Sequence, residues 1–333
     1  MLRVTVLTGG STPERDVALA GAAEVVHALR RRGYQVSVVD LAAGPLSPEA
    51  EADLLRPTVA RLPPTLTHLA ALRAREDWLQ LVREPAICHA DLLFPVLHGR
   101  EVEGGLLQAV LEVAGGRFVG SDLRGSLLAM DKDLSKQLFL SADIPTAPWA
   151  RWPVSEAELQ RLGLPLVVKP ARAGSTIGLS VVRTPADLHS AVERAKSVDP
   201  EVLFERFLPG RELTVGVLGE HALAVGEIIA QHEIFDYECK YTPGMSQEIF
   251  PAAISSNLTD DIRTLALRVH RLLKLRHFSR IDFRLGEDGV CYCLEANTLP
   301  GLTRTSLVPQ SAAAMGIPFE EFCDRLCRLA LAV

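Results

Sequence analysis

Four polar side chains near the end of the sequence have the types and spacing of a metal and phosphate site. Arg280, Asp282, Glu295 and Asn297 lie in two strand-like runs joined by a Gly-Glu-Asp-Gly turn within residues 280–297. This pattern predicts an antiparallel hairpin with the four side chains on one face. Carboxylate and amide oxygens suit Mg²⁺, which proteins hold through one or two carboxylates together with substrate phosphates. We therefore predict a metal and nucleotide site with an arginine beside it.

The register that we predict for this hairpin pairs Leu285 with Val290. Arg280 then lies opposite Glu295, and Asp282 is a diagonal neighbour of Glu295. The opposite face of the hairpin is expected to be apolar and to consist of Ile281, Phe283, Leu285, Tyr292, Leu294 and Ala296.

The segment after the hairpin leaves the strand pattern at once, since residues 297–301 read Asn-Thr-Leu-Pro-Gly. Pro300 has no N–H to donate to a ladder, and Gly301 permits close approach of the backbone to a ligand. The alternative is an ordinary half-buried hairpin with a solvated charged face. Such a hairpin does not need this break, so we favour the functional interpretation.

The composition indicates a globular protein with two or three domains. The chain has 333 residues, 48% hydrophobic and 23% charged, with a net charge of 35 minus 41, or −6. No basic tail or stripe predicts binding to nucleic acid, and neither a signal peptide nor a membrane-spanning run is evident. We expect a cytoplasmic protein with no nucleic-acid or membrane partner.

The cysteines and lysines carry further information. Six cysteines form no zinc-ribbon spacing and are expected to be free, buried thiols. Only six lysines occur, so each is informative, and Lys132, Lys169 and Lys240 fall inside motifs.

The elements that position these groups begin with a βαβ unit. Residues 2–7 predict a strand, 14–32 a helix and 35–40 a second strand, but the glycine-rich turn lacks the G-x-G-x-x-G of dinucleotide-binding folds. A third strand over 91–97 leads into His98-Gly99-Arg100-Glu101-Val102-Glu103-Gly104-Gly105, at the sheet edge where open α/β folds bind ligands.

The middle of the chain predicts a helix over 124–142 and two strands joined by the small-residue loop 170–178. Exposed N–H groups in such a loop can bind anions, although a plain hairpin connection has the same pattern. No lysine follows a glycine, so a Walker-type phosphate loop is excluded. The long connection 231–250 predicts a lid, with a disordered segment as the alternative.

Seven motifs in order give the chain a family resemblance. It resembles the ATP-grasp superfamily and, within it, the D-alanine:D-alanine ligase family, through GGSTPERDVAL, HGREVEGGLLQ, MDKDLSK, VVKPARAGSTIG, DYECKY, RIDF and EANTLPGLTRTSLVP. The resemblance implies an α/β fold: an N-terminal open α/β (Rossmann-like) substrate-binding domain, 1–120, followed by a two-lobed ATP-grasp fold. Its lobes would be residues 121–209 and 210–333, with the lid at 231–250.

The family also implies an activity and partners. It joins two D-alanines into D-alanyl-D-alanine through a D-alanyl phosphate, for peptidoglycan precursor synthesis. ATP and two Mg²⁺ (or Mn²⁺) ions would be required, and the chain would form a homodimer through its first domain.

The resemblance assigns the ATP and metal contacts residue by residue. Lys132 and Lys169 would contact the ATP phosphates, and Ser175 and Lys240 would also contribute to the binding of ATP. Glu205, Phe207 and Leu208 would contact adenine, chiefly through backbone groups, and Glu212 would bind the ribose hydroxyls. The ligands of the two metal ions would be Asp282, Glu295, which bridges them, and Asn297.

The resemblance likewise assigns the amino-acid contacts. Glu14 would bind the first D-alanine ammonium, with His98 nearby. Arg280 and the Gly301 N–H would stabilise the oxyanion formed by attack of the second amine. Ser306 and Leu307 would bind the carboxylate of the second D-alanine, beside a helix that starts at Ser306. Ser175, Tyr241 and Glu14 would connect the small-residue loop to the lid, and Glu103 would contact the lid.

The chain departs from the family pattern at a few positions. Val102 and Gly104 replace a glycine and an aspartate of that pattern, which puts the local turn in question, and Thr176 replaces a serine.

Three functions compete with dipeptide formation. The first is synthesis of D-alanyl-D-lactate, but Tyr241 is the residue of dipeptide-forming members, and relatives that form the ester differ there. The second is an ATP-grasp ligase that joins a different carboxylate to a different amine. The third is a non-catalytic nucleotide-binding protein with the same fold.

Overall fold

The structure is a computed structural model that describes residues 1–60, 62–234, 239, 242 and 244–332. Its described strands form three sheets, one after another along the chain. Each sheet lies within one of the three segments predicted above. The domain boundaries themselves stay a prediction.

The first sheet has the order β3-β2-β1-β4, in which β1 pairs in parallel with both β2 and β4. Its strands are β1 (Arg3–Thr8), β2 (Gln35–Asp40), β3 (Gly44–Pro45) and β4 (Leu92–Pro95). The helices of this segment are α1 (Arg15–Arg31), α2 (Pro48–Leu54), α3 (Leu66–Arg73), α4 (Trp78–Leu81), α5 (Pro85–Cys88), α6 (Arg100–Glu103) and α7 (Leu106–Val113). Because helices cover the parallel sheet, β1 is buried after its first residue.

The second sheet is antiparallel with the order β5-β8-β6-β7. The strands are β5 (Trp149–Arg151), β6 (Leu166–Pro170), β7 (Ser180–Val182) and β8 (Val202–Arg206). The helices are α8 (Leu123–Met130), α9 (Lys132–Ser141), α10 (Glu156–Leu162), a 3-10 turn (Pro185–Asp187) and α11 (Leu188–Lys196).

The third sheet is also antiparallel, with the order β11-β10-β9-β12-β13. The strands are β9 (Gly210–Leu218), β10 (His221–Ala230), β11 (Ser246–Ile249), β12 (Phe278–Gly286) and β13 (Cys291–Asn297). The helices are α12 (Ser256–Leu272), α13 (Leu307–Ala313) and α14 (Phe319–Leu331). Phe322 and Leu326 of α14 are fully buried in the same core as Val4 and Phe94 of the first sheet, so the last helix joins the two ends of the chain.

The predicted hairpin register is wrong by one residue at the turn and by two residues beyond a bulge. Gly286 and Val290 close the turn, so Leu285 pairs with Cys291, and a bulge places Asp282 directly opposite Glu295. Arg280 is opposite Asn297.

The bulge also changes which residues face the core. Cys293 is fully buried with Ile281 and Phe283, whereas Leu294 faces a cavity beside Glu295 and the Tyr292 hydroxyl donates to Asp288. Cys293 thus occupies the core in place of Tyr292 and Leu294, which were predicted to lie there.

The continuous helix predicted over 124–142 is also wrong, because it breaks at Asp131. The Asp131 side chain accepts hydrogen bonds from the N–H groups of Asp133 and Leu134, both at 3.1 Å, and so caps α9. The break lets the Lys132 N–H donate to Ala171 O at 3.2 Å, which brings Lys132 beside the small-residue loop.

The cysteines are free, as predicted, but Cys88 is exposed and Cys291 is half-buried. Within the described residues, no helix is both long and apolar enough to cross a membrane.

Candidate active site

Two neighbouring cavities meet at Lys132, Arg280 and Glu295. The first lies between the second and third sheets and is lined by Lys169, Phe207, Leu208, Glu212 and Asp282, among others. The second has a volume of about 450 Å³, in the range of small-molecule sites, and is lined by Glu14, His98, Ser175, Asn297 and Ser306, among others. Every predicted site residue in the described part of the chain lines one or both cavities.

Asp282 is held in place from three sides. Arg280 Nε lies 2.9 Å and 3.1 Å from its two carboxylate oxygens, and Arg280 Nη2 lies 2.8 Å from Oδ2. Thr214 Oγ1 donates to Oδ1 at 2.7 Å, and Asn297 Nδ2 donates to Oδ2 at 2.9 Å. The neighbouring carboxylate raises the pKa of Arg280 despite burial, which keeps the guanidinium charged.

Glu295 faces Asp282 across the hairpin and is paired with a lysine from another segment. Lys132 Nζ lies 3.0 Å from Glu295 Oε2 and donates to Ala173 O at 2.7 Å. Lys132 therefore connects the metal carboxylate predicted on β13 to the small-residue loop.

The residues present fit a magnesium site of the kind that substrate phosphates complete. Asp282 and Glu295 are directly opposed, and Asn297 adds an amide oxygen beside them. No three His, Cys, Asp or Glu side chains converge as a metal cluster in the described residues. Two carboxylates plus phosphate oxygens are the usual set for Mg²⁺, so this donor set suits a metal that arrives with a nucleotide.

The Glu205 side chain lies in a buried charge cluster behind the first cavity. Its side chain is buried between two lysines, with Lys169 Nζ at 2.9 Å and Lys136 Nζ at 3.4 Å from Oε1. Burial opposes ionisation, but the two cations outweigh it and lower the pKa of Glu205. The side chain thus positions Lys169, and residues 205–208 line the first cavity.

Lys136 is a buried residue that sequence reasoning missed. It has no exposed surface, and its Nζ donates to Thr146 Oγ1 at 2.7 Å and to Ala147 O at 3.0 Å. Its spacing of four from Lys132 on one helix was the available signal.

Glu212, the residue that the resemblance assigns to the ribose, is one of the residues that line the first cavity. Arg284 Nη2 is 3.2 Å from Glu212 Oε2, which holds the carboxylate against β12.

The small-residue loop reaches the first segment through Ser175. The Ser175 hydroxyl donates to Glu14, although the two residues are 161 positions apart. Ser175 and Thr176 have φ angles of 52° and 63°, which lie in the left-handed region that residues other than glycine rarely adopt. Strained residues of this kind cluster at ligand-binding loops.

Glu14, His98 and Glu103 lie together on the wall of the second cavity. Glu103 Oε2 accepts a hydrogen bond from the Gly99 N–H at 2.8 Å. Burial, and next the negative charge of Glu14, raise the pKa of Glu103 to about 8. This carboxyl group is therefore largely neutral at pH 7.

The two departures from the family pattern have distinct structural settings. Val102 is buried in the core of the first segment beside Leu97 and Leu107. Gly104 ends α6, and a Cβ there would lie 2.5 Å from Arg100 O, so the family's aspartate would require a backbone shift.

Gly301 and Ser306 lie close together in the second cavity. A Cβ on Gly301 would lie 2.8 Å from Ser306 Oγ. Helix α13 starts at Leu307 rather than Ser306; Ser306 is its N-cap, and its Oγ accepts from the Thr303 N–H at 3.1 Å. The predicted residues Lys240 and Tyr241 lie outside the described part of the chain.

Comparison with known proteins relates nearly the whole chain to the family that the sequence motifs resemble. Family models described as D-ala D-ala ligase N-terminus and D-ala D-ala ligase C-terminus match residues 3–121 and 138–328. The chain is 39% identical to a D-alanine--D-alanine ligase of Desulfotalea psychrophila over 99% of its own length and 95% of that protein. It is also 39% identical to one of Nitratidesulfovibrio vulgaris, over 99% and 98%.

Solved structures of such enzymes share the fold. The ligase of Bacillus anthracis complexed with ATP superposes with a TM-score of 0.80 at 25% identity, covering 100% of this chain and 98% of that one. The ligase of Coxiella burnetii gives a TM-score of 0.81 at 26% identity, over 99% and 94%. The predicted fold, an open α/β unit followed by an ATP-grasp fold, is confirmed, and the chain belongs to the D-alanine--D-alanine ligase family.

Proposed function

We propose that this chain joins two D-alanines in an ATP-dependent reaction, with ATP in the first cavity and the amino acids in the second. One observation carries this proposal: the two cavities share Lys132, Arg280 and Glu295. A γ-phosphate in the first cavity and a carboxylate in the second therefore meet beside a lysine, an arginine and a metal carboxylate. D-alanyl-D-alanine made in this way would serve peptidoglycan precursor synthesis.

Nucleotide binding is assigned to the walls of the first cavity. Phe207 and Leu208 take the base, Glu212 takes the ribose hydroxyls, and Lys169 takes a phosphate. The relative from Bacillus anthracis was solved with ATP, which supports this placement. Mg²⁺ bound by Asp282, Glu295 and Asn297 would neutralise phosphate charge during transfer.

The first chemical step forms an acyl phosphate. A carboxylate oxygen of the first D-alanine attacks the γ-phosphorus of ATP, and the bond from that phosphorus to the bridging oxygen of ADP breaks. Because such transfer depends on positioning and charge neutralisation, Lys132 and Lys169 are suited to it. Glu14, fixed by Ser175, holds the ammonium of this substrate.

The second step forms the peptide bond. The second D-alanine loses one ammonium proton to solvent, and its free amine attacks the carbonyl carbon of the acyl phosphate. The carbon–oxygen bond to phosphate then breaks, and the second proton that the nitrogen loses leaves with the phosphate. Arg280, held rigidly by Asp282, and the Gly301 N–H stabilise the oxyanion that forms between these events. Ser306 and Leu307 bind the carboxylate of the second substrate.

The lid and the assembly belong to the same proposal. Residues 231–250, with Lys240 and Tyr241, close over the acyl phosphate to exclude water. Tyr241 favours an amine as the second nucleophile; ester formation from D-lactate in preference to dipeptide at neutral pH would contradict this. Two copies pair through residues 1–120, and a monomeric mass in solution would contradict that pairing.

The deciding experiment is product analysis after incubation with ATP, Mg²⁺ and D-alanine. We expect D-alanyl-D-alanine, ADP and phosphate in equal amounts. ADP release stimulated by an L-amino acid alone would instead indicate a different ATP-grasp ligase. ATP binding with no D-alanine-dependent phosphate release would indicate a non-catalytic nucleotide-binding protein.

A further inference from the structure

Carboxylates are unusually frequent on the wall of the second cavity. Among the described residues, the glutamates that line it are Glu14, Glu24, Glu103, Glu248 and Glu295. Arg304 lies 3.4 Å from Glu24, and Lys132 lies 3.0 Å from Glu295. Glu103 is largely neutral at pH 7, and Glu14 is the receptor proposed for the first ammonium. Glu248 is therefore the carboxylate of this wall whose role is still to be explained.

Glu248 is held by a neutral donor in a defined orientation. It lies on the edge strand β11, opposite Ile228 of β10. Gln310 Nε2 of α13 donates to Glu248 Oε2 and also to Thr305 O, at 2.6 Å. In the described part of the chain, no cation lies within ion-pair distance of Glu248. Gln310 therefore fixes this carboxylate against the turn that carries Ser306.

The Glu248 side chain is partly buried in the cavity wall. Burial raises the pKa of Glu248, while the Gln310 hydrogen bond and the charge of Arg280 act in the opposite direction. A carboxylate in such a wall is costly unless a cation compensates it. Arg280 is already bonded to Asp282, and the described residues offer no other cation beside Glu248, so an ammonium group of the ligand would supply the compensating charge.

From these contacts we propose that Glu248 binds the ammonium group of the second D-alanine. This rests on the proposed function, in which Ser306 and Leu307 bind the carboxylate of the same molecule. The amino and carboxyl groups of an α-amino acid are joined through one carbon atom, so their receptors must be adjacent. The hydrogen bonds from Gln310 to Glu248 and to Thr305, the neighbour of Ser306, provide that adjacency. Glu248 thereby contributes to the choice of an ammonium group over the uncharged hydroxyl group of a hydroxy acid.

The test uses the full chain with Glu248→Gln. The new amide oxygen still accepts from Gln310, so the substitution removes the charge and keeps the shape. A charge-assisted hydrogen bond contributes enough that its loss is expected to raise KM for the second D-alanine about tenfold to hundredfold. Acyl phosphate formation, measured by trapping with hydroxylamine as D-alanyl hydroxamate, is expected to be unchanged because a small neutral nucleophile does not need the ammonium receptor.

Two further comparisons make the result specific. Glu220→Gln removes an exposed carboxylate that is paired with Arg271 at the surface, and it is expected to leave both KM values and hydroxamate formation unchanged. With D-lactate offered against D-alanine, Glu248→Gln is expected to raise the ratio of ester to dipeptide, because only the amine loses its partner.

Two results overturn the proposal for Glu248. One is an unchanged KM for the second D-alanine. The other is a loss of hydroxamate equal to the loss of dipeptide, which would show a general structural effect. Failure of the proposed function itself is distinguishable, since the unaltered chain would then form neither hydroxamate nor dipeptide.

Discussion

The substitution Lys136→Met tests the buried charge cluster behind the first cavity. Lys136 donates to Thr146 Oγ1 and Ala147 O, at 2.7 and 3.0 Å, and its Nζ lies 3.4 Å from Glu205. Methionine has a similar length and flexibility but no charge and no donor. After the substitution Glu205 keeps only Lys169, at 2.9 Å.

The magnitude follows from these contacts. Removing one partner of a buried ion pair costs about 3–5 kcal/mol when the remaining charge is uncompensated. Here Lys169 still compensates Glu205, which reduces that cost, but Ala147 O loses its donor, at about 1–3 kcal/mol. We expect the free energy of unfolding to fall by about 2–4 kcal/mol. We also expect a several-fold rise in KM for ATP, because Lys169 is drawn toward Glu205.

Urea unfolding followed by tryptophan fluorescence measures the stability change. The centroid of the Trp149 ring lies 5.2 Å from Lys136 Nζ, so its fluorescence reports on the part of the chain that holds Lys136. The control is Lys196→Met, which removes a partly exposed lysine 3.5 Å from Glu193 and stacked on Trp152, and is expected to cost less than about 1 kcal/mol. Equal unfolding midpoints for Lys136→Met and the unaltered protein, or an equal loss in the control, would refute the reasoning.

Three further predictions concern the metal carboxylate, the oxyanion loop and pH. Glu295→Gln is expected to lower D-alanine-dependent phosphate release by at least about 100-fold with an unchanged melting temperature, and near-normal turnover would contradict its metal role. Gly301→Ala places a Cβ 2.8 Å from Ser306 Oγ, so initial rates should show a raised KM for the second D-alanine; unchanged rates would contradict this packing. Burial lowers the pKa of His270 and of His277 to about 4, below the ordinary value of about 6.5, so the unfolded chain binds more protons between these values. The contribution of these histidines to the free energy of unfolding is therefore fully present above about pH 6.5 and is lost as the pH falls toward 4. Urea unfolding at pH 7 and pH 5 measures this change. The substitution His277→Asn should make the free energy of unfolding depend less steeply on pH.

Local patterns predicted the parts of the fold that depend on short-range geometry. The bounds of β2 match the predicted ones, and Asp282, Glu295 and Asn297 lie together on the hairpin as strand alternation requires. The hairpin register was predicted wrongly by one residue at the turn, which Gly286 and Val290 close, and by a second residue beyond the bulge, which depends on packing. Nothing in the local pattern shows that Cys293 enters the core while Leu294 faces a cavity.

Helix boundaries show the same limit. Residues 124–142 contain no proline or central break strong enough to predict two helices, yet the chain turns at Asp131. The turn is stabilised by the cap and by the hydrogen bond from Lys132 N–H to Ala171 O, a residue of a different segment.

The sequence by itself determined the family, because seven motifs occur in order, and it determined which residue types could bind metal, phosphate and amino acid. Only the tertiary structure decided how those residues pair. Glu205 lies between Lys136 and Lys169, and Glu248 is joined to Gln310 62 positions away. These partners come from different sheets and helices, and their distances depend on how those elements pack rather than on any local preference of the chain.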